Sequence, residues 1–272
     1  MNKPRLVACD IDGTLAPSGS IMPSSYTISI LEKLHEKGVL FGVASGRDIN
    51  QLRDLEEEWG LSFSYDLIIG LNGSEYYDLS HDEHVKSYFL SSDDIKEIIT
   101  KMVDRFPDIN ASIYRQGMRL LRFEDEMAIN SKKSTGRDNR IVEDLAEFWT
   151  EDCVKVMFRV SEEMMKKIEP YCLEMSNDRY RCCKTQTTMM EFVNAKANKG
   201  AALKEYCLKN NIDLKNVVAF GDMTNDNELL ETAGLGVSMC NGAADTIACA
   251  DAITDYPNDE DGCARYIEKY LL

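Results

Sequence analysis

Residues 6–19 read LVACDIDGTLAPSG, an apolar run that ends in two aspartates one residue apart. Leu6, Val7, Ala8 and Cys9 contain no polar break and Gly13 closes the stretch, which predicts a strand buried on both faces of a parallel sheet. In an extended segment residues i and i+2 point to the same side, so Asp10 and Asp12 address one point in space before Gly13 turns the chain. Two carboxylates that close repel, and each makes the other harder to ionise. A metal cation, a shared proton or a basic neighbour must offset that repulsion. Taken alone, Asp-x-Asp-Gly is equally a solvated turn, because aspartate and glycine are favoured turn residues.

The same pattern recurs. VLFGVASGR (39–47) ends in Ser45-Gly46-Arg47, LIIGLNGS (67–74) in Asn72-Gly73-Ser74, and NVVAFGDMTND (216–226) runs through Gly221-Asp222; GLGVSM (234–239) and DAIT (251–254) are shorter versions. Helical patterns lie between them. Residues 26–37 have apolar positions at 28, 30, 31 and 34 and stop at Gly38, and Asp48 can cap a helix that runs to Trp59. Residues 199–210, 226–233 and 259–271 complete the set. Strand and helix alternate, which predicts a doubly wound, parallel-sheet α/β core of Rossmann-like type with helices on both faces. Such sheets bind ligands outside the carboxyl ends of their strands. Asp10, Asp12, Ser45, Asn72 and Asp222 all fall at such ends.

The alternation breaks between about 83 and 190. DIKEIITKMVDRF reads as a helix, ASIYRQGMRLLRF as a hairpin turning at Gln116-Gly117, and KVMFRV as an alternating strand; SEEMMKKIEPYCLEM follows as a helix, then RYRCCK and TTMMEFV as strands. This predicts an inserted α+β domain over 83–190 with an antiparallel sheet, and a discontinuous core domain over 1–82 and 191–272. Both ends of the insertion join core segments near the crevice, so it is expected to sit over that crevice. Arg115, Arg119 and Arg122 lie on or near its hairpin, where they either reach an anionic part of a ligand or form a solvated edge.

The chain has 272 residues and a net charge of −16, from 31 Lys+Arg against 47 Asp+Glu, which disfavours nucleic acid and anionic membranes as partners. An anionic substrate must then be held by a local site, which screening beyond roughly 8 Å permits. No apolar run approaches the roughly 20 residues of a membrane span and no signal-peptide core is evident, so a cytoplasmic location is expected. The nine cysteines are odd in number and lack any Cys-x-x-Cys, and they read as small buried hydrophobes. A thiol-phosphatase loop at Cys9 is excluded by Leu15, where an arginine is required. HDEH (81–84) reads as a solvated polar loop, with no third metal ligand in view.

DIDGTL (10–15), ASGR (44–47), ANKG (197–200) and GDMTND (221–226) together resemble, in order and spacing, the four motifs of the haloacid dehalogenase superfamily of phosphohydrolases. Within it the chain is similar to the Cof-like group, whose C2-type (IIB) cap lies between the second and third motifs. NDEDGCARYIEKYL (258–271) also looks like that group's C-terminal segment, so the resemblance covers nearly the whole chain. It implies a Mg2+-dependent phosphomonoester hydrolase acting on small phosphorylated metabolites, sugar phosphates first, through an aspartyl-phosphate intermediate.

By that resemblance Asp10 is the nucleophile and Asp12 the acid and base. Ser45 supplies a hydroxyl and Lys199 an ammonium to the phosphoryl oxygens. Asp10, the Asp12 carbonyl and Asp222 hold Mg2+ directly, with Asp226 acting through water. Thr14, Gly46, Arg47, Asn72 and Asn225 are the candidate substrate-binding residues, although Arg47 can equally cap a helix or pair with an acid. The chemistry agrees with this division: a carboxylate can act as a covalent nucleophile, while an acid/base partner is helped to hold a proton by its negative neighbour. Transferred phosphoryl groups need fixed positive charge, and Lys199 opens a helix whose amino end favours an anion. Departures from the family pattern are small, with Asn198 before the lysine and leucine within NDNELL (225–230), and neither removes a catalytic group.

A phosphotransferase or phosphomutase on the same framework is the main alternative. A phospho-accepting switch is disfavoured by Asp12 and by the insertion, since a switch keeps its phosphate and needs no lid. A dinucleotide site is weaker, because GLGVSM has Met239 where the third glycine belongs.

Overall fold

Every residue of β1 (Leu6–Asp10) is buried, because this strand lies in the middle of a sheet covered on both faces. The computed structural model describes residues 3–135 and 138–272, which divide into one unit that runs to Ser87 and resumes at Ala197, and a second unit, Tyr88–Lys196.

The first unit continues with α1 (Ser25–Glu36), β2 (Leu40–Ala44), α2 (Ile49–Trp59), β3 (Leu67–Gly70), β4 (Glu75–Asp78) and β5 (Glu83–Lys86). Ser24 and Asp48 accept backbone N–H bonds from Thr27 and Gln51, which fixes where α1 and α2 start. The second unit comprises α3 (Ser92–Arg105), β6 (Ala111–Arg115), β7 (Met118–Leu121), α4 (Glu126–Thr135), β8 (Asn139–Ile141), β9 (Lys155–Arg159), α5 (Glu162–Met175), β10 (Tyr180–Gln186) and β11 (Met189–Asn194). The chain returns to the first unit with α6 (Lys199–Lys209), β12 (Val217–Gly221), α7 (Asn227–Thr232), β13 (Leu235–Ser238), α8 (Ala244–Cys249), β14 (Ala252–Ile253) and α9 (Gly262–Tyr270).

The eight strands of the first sheet run β14-β13-β12-β1-β2-β3-β4-β5, parallel from β14 to β3 and antiparallel for the last two. Alternate residues of β1 serve different cores. Val7 and Cys9 pack with Phe41, Val43, Leu31, Leu52, Phe220 and Ile267, on the side of α1, α2 and α9. Leu6 and Ala8 pack with Leu67, Ile69, Leu203 and Leu229, on the side of α6 and α7. Strand order reverses at β1, which has β12 on one side and β2 on the other. A doubly wound sheet opens a crevice at that point, beyond the strand ends.

The boundaries of the two units differ from the sequence-based ones at 82/83 and 190/191. β5 pairs with β4 and extends the first sheet through residue 86, while β11 pairs with β9 and β10 and carries the second unit past residue 190. The segment HDEH is therefore no loop. His84 lies on β5 opposite Tyr77 with its Nε2 2.8 Å from Glu75 Oε2, and His81 Nδ1 lies 2.9 Å from Asp78 Oδ2. Both imidazoles are held by buried carboxylates. Two helices also start later than their periodicity suggests. Residues 224–226 and 258–260 form 3₁₀ turns before α7 and α9.

The second unit has a six-stranded sheet in the order β10-β11-β9-β6-β7-β8. It is antiparallel except for β8, which pairs parallel to β7, against the expectation of a wholly antiparallel sheet. The hairpin turns at Gln116-Gly117 as expected, both at positive φ. Ile95, Ile98 and Met102 of α3 and Met165, Ile168 and Cys172 of α5 form one core with Ile113, Val156, Phe158 and Phe192 of the sheet. Neither reading of the three hairpin arginines holds for Arg115 and Arg122. Arg115 donates to the carbonyls of Glu147 (2.6 Å), Phe148 and Glu151 (both 3.0 Å), and Arg122 donates to that of Ile109 (3.0 Å). Arg119 is buried and donates to Ala128 O at 2.7 Å. Six of the nine cysteines are buried as expected, whereas Cys183 and Cys249 are half-buried and Cys240 is exposed. Among the described residues no helix is long and apolar enough to cross a membrane.

Candidate active site

β1 ends at Asp10, and the chain then folds back in a tight turn in which Ile11 O accepts the N–H groups of Leu15 (3.1 Å) and Ala16 (2.9 Å). Gly13 sits in this turn at φ +96°, where a Cβ would come within 2.4 Å of Asp222 Oδ2. Glycine is needed there for its conformation and for the approach of Asp222. The turn also aims the Thr14 hydroxyl at Asp222, to which it donates at 3.1 Å.

Lys199 is the first residue of α6, whose amino end is capped by Asn198 Oδ1 accepting from Ala201 N at 2.7 Å. Its side chain is 0% exposed, and Nζ donates to Asp10 Oδ1 and Asp226 Oδ1, both at 2.6 Å. Gly200 allows this. A Cβ there would lie 2.0 Å from Glu228 O, so only glycine lets α6 approach α7 closely enough to bring Lys199 beside Asp226. The other oxygen of Asp226 accepts from the backbone N–H groups of Asp222 (3.1 Å) and Met223 (3.2 Å), which ties the loop after β12 to the same centre.

Asp10, Asp222 and Asp226 each offer a carboxylate oxygen within 4.8 Å of the others, and all three are buried. One ammonium therefore faces three acids. Burial pushes the Asp10 carboxyl up to about 8, aided by the charges of Asp226 and Asp222 and opposed by Lys199. Burial likewise pushes Asp222 up to about 6, with Asp226 adding to it and the Thr14 hydrogen bond opposing it. Burial alone lowers the proton affinity of Lys199, but its two carboxylates outweigh that and hold it charged.

Asp12 does not join this cluster. It lies beyond the end of β1, is exposed, and is gripped by the guanidinium of Arg47, whose Nη2 donates to Oδ1 at 2.9 Å while Nη1 donates to Oδ2. The two aspartates of the opening motif thus have separate cations. Ser45 is buried at the end of β2, its N–H donating to Ile69 O (2.9 Å) and its Oγ accepting from Arg47 N (3.3 Å). Its carbonyl accepts from Asn72 N at 3.0 Å, and Asn225 Nδ2 donates to Asn72 Oδ1 at 3.1 Å. Gly46 is exposed beside them, with room for a Cβ 3.4 Å from Asn72. The candidates so form one buried cluster of Asp10, Thr14, Lys199, Asp222 and Asp226, and a second group of Asp12, Gly46, Arg47, Asn72 and Asn225 around the buried Ser45.

Sequence reasoning missed Glu75. It is buried on β4 and accepts from the N–H of Ile49 at 3.1 Å, at the start of α2 just past Arg47. An acid among aromatic residues in EYYD carries no motif, and its partner is 26 residues away. Only the sheet register could have found it.

The profile of the haloacid dehalogenase-like hydrolases matches residues 7–267. The chain belongs to that family. Among curated relatives, the 5-amino-6-(5-phospho-D-ribitylamino)uracil phosphatase YcsE of Bacillus subtilis is 30% identical over 268 residues, spanning 98% of this chain and 96% of that one. A second such phosphatase of the same organism, YitU, is 25% identical over 271 residues, spanning 99% and 98%. Among solved structures, TM0651 of Thermotoga maritima superposes with a TM-score of 0.84 at 22% identity, covering 98% of this chain and 97% of that one. The subclass IIB sugar phosphatase BT4131 does so with a TM-score of 0.75 at 22% identity, covering 98% of each. At those identities the structures establish the shared fold. With its family and relatives, this haloacid dehalogenase-like hydrolase is a phosphatase.

Proposed function

We propose that this phosphatase hydrolyses phosphomonoesters of small metabolites, phosphorylated sugars and polyols first, with Mg2+ and through an aspartyl-phosphate on Asp10. The observation that carries this is the buried cluster in which Lys199 lies 2.6 Å from both Asp10 and Asp226 beside Asp222. YitU and YcsE are named for a phosphoribityl substrate and BT4131 for sugar phosphates, which supports the substrate class.

The donor set suits a hard divalent cation. It consists wholly of oxygens, and three buried acids share one ammonium, so burial and mutual repulsion raise the proton affinity of Asp10 and Asp222 and leave the cluster short of positive charge. Asp10, Asp222 and the Asp12 carbonyl would hold Mg2+, with Asp226 beside them. Bound there, it supplies the positive charge that keeps the carboxylates ionised and offsets charge on the phosphoryl oxygens.

The chain's own groups divide the remaining work. An Asp10 carboxylate oxygen attacks phosphorus as the bond to the ester oxygen breaks, giving an acyl phosphate. Asp12 gives its proton to the departing alkoxide and then takes one from the water that attacks the acyl phosphate, which frees phosphate and restores Asp10. To do so Asp12 exchanges Arg47 for the leaving oxygen. Lys199 and the Ser45 hydroxyl donate to the phosphoryl oxygens, and the amino end of α6 adds its partial positive charge.

The test is phosphate release from a panel of phosphorylated metabolites, with and without Mg2+, alongside Asp10→Asn. Release that needs both the cation and Asp10, ranked by kcat/KM, is expected. Label retained on Asp10, or moved between sugar positions with no phosphate released, would overturn hydrolysis in favour of a switch or a mutase.

A further inference from the structure

The turn that carries Ser45, Gly46 and Arg47 joins β2 to α2, and the neighbouring segment 69–75 holds it in place. Ser45 N–H donates to Ile69 O (2.9 Å), the Ser45 carbonyl accepts from Asn72 N (3.0 Å), and the Arg47 carbonyl accepts from Leu71 N (2.8 Å). Those bonds join backbone to backbone, so many sequences could make them. The next tie is different in kind, because a side chain makes it. Ile49, the first residue of α2, donates its N–H to Oε1 of Glu75 at 3.1 Å.

Glu75 is 5% exposed, and burying a carboxylate costs free energy that its hydrogen bonds must offset. An apolar side chain on β4 would avoid that cost. It would also leave the Ile49 N–H, one of the donors that a helix start cannot satisfy internally, without this acceptor. Gly70 stands opposite Glu75 in the sheet and leaves room for the carboxylate, since a Cβ there would lie 3.1 Å from Oε1. His84 of β5 braces the other oxygen, with Nε2 2.8 Å from Oε2. The acid sits at the amino end of α2, where a negative charge is favoured.

Arg47 lies two residues before Ile49 and rests on a strained neighbour. Leu71 and Asn72 have φ of +50° and +53°, a left-handed conformation that leucine rarely adopts and that persists only where its surroundings fix it. Arg47 in turn grips both carboxylate oxygens of Asp12. Ser45, with backbone bonds on both its N–H and its carbonyl, depends less on Glu75. We propose that Glu75 is a positioning residue: through the Ile49 N–H it sets where Arg47 stands against Asp12, and Arg47 keeps the Asp12 carboxylate aimed until the ester's leaving oxygen takes its place. Paired guanidinium donors fix the plane of a carboxylate, and a proton donor is effective only when it is so aimed. This role rests on the one given to Asp12 as acid and base.

The test is steady-state kinetics with Mg2+ on ribose 5-phosphate, whose alkoxide needs a proton to leave, and on p-nitrophenyl phosphate, whose phenolate does not. Glu75→Leu is expected to lower kcat/KM about tenfold for ribose 5-phosphate and less than about threefold for the aryl ester, part of the roughly 10²–10⁴ that a positioned acid contributes. Glu75→Gln, whose amide oxygen still accepts from Ile49, should restore most of the loss. In an Arg47→Met background Glu75→Leu should have no further effect, because it acts through Arg47. A merely structural Glu75 would lower both esters alike and add to Arg47→Met, and either result overturns the proposal. Should Glu75→Leu not fold, His84→Ala, which frees one carboxylate oxygen, is expected to show the same preference at smaller size, and an equal loss on both esters overturns it. Asp12→Asn is measured alongside. If it lowers both esters alike, the role of Asp12 has failed and the proposal with it; if it spares the aryl ester while Glu75→Leu does not, only the positioning has failed.

Discussion

Lys199 holds two carboxylates on one ammonium while a third stands within reach, so Asp10 sits where its own charge is unwelcome. Asp10 is raised from 3.8 to about 8, and a group raised in the folded state contributes stability that is present below its unfolded pKa and lost as pH rises through the folded one. Without divalent cation, the protein should therefore lose stability relative to Asp10→Asn between about pH 4 and pH 8, as measured by urea unfolding at several pH values. A constant difference across that range would contradict the electrostatic account. Asp10→Asn should at the same time cut phosphate release by roughly three orders of magnitude or more, since it removes the nucleophile while relaxing the fold. Adding Mg2+ acts from the other side. At a hundredfold excess over its Kd it should stabilise the wild type by about 2.7 kcal/mol, and less so Asp10→Asn, as read from the urea midpoint.

At the level of elements, the site depends on how closely α6 meets α7. In Gly200→Ala the added methyl would lie 2.0 Å from Glu228 O, a backbone atom that cannot rotate away. We expect a loss of about 1–3 kcal/mol in urea unfolding, with a fall in kcat as Lys199 is displaced from Asp226. A stability change below about 0.5 kcal/mol would show that the two helices separate freely. The strands that carry this site were legible because they are buried on both faces: β1, β2, β3 and β12 read as unbroken apolar runs, and their ends carry the motifs. The β4–β5 hairpin was not. EYYD shows no alternation, since Glu75 and Asp78 are buried beside the tyrosines and satisfied by Ile49 N, Ser80 and Asn210. β8 has three residues and no pattern of its own. Asp12 shows the same limit at the site. Spacing placed it beside Asp10, whereas its partner Arg47 comes from the end of another strand and is visible only once the sheet is assembled.

For the molecule as a whole, net charge opposes the encounter with any phosphorylated substrate. Screening should help: the Debye length falls from about 30 Å at 0.01 M salt to about 8 Å at 0.15 M. kcat/KM for an anionic substrate should accordingly rise severalfold over that range, measured at fixed free Mg2+. A fall would mean that the local positive groups dominate at long range. Two units, each with hydrophobic cores of its own, also predict that denaturant unfolding is not a single two-state transition, because each unit can melt by itself.

The insertion between β5 and α6 has a further consequence during synthesis. β1 pairs with β12 from Leu6 to Val217, so the strand that bears Asp10 waits for a neighbour made about 210 residues later. At 5–20 residues per second that interval is roughly 10–40 s. Throughout it, one edge of β1 is open on the nascent chain; Lys199 is made only near its end and Asp222 after it. The cluster of Asp10, Lys199 and Asp222 is thus assembled only after the insertion has been made, and a ribosome stalled within the insertion carries a half-sheet with Asp10 in place and none of the charged groups that surround it.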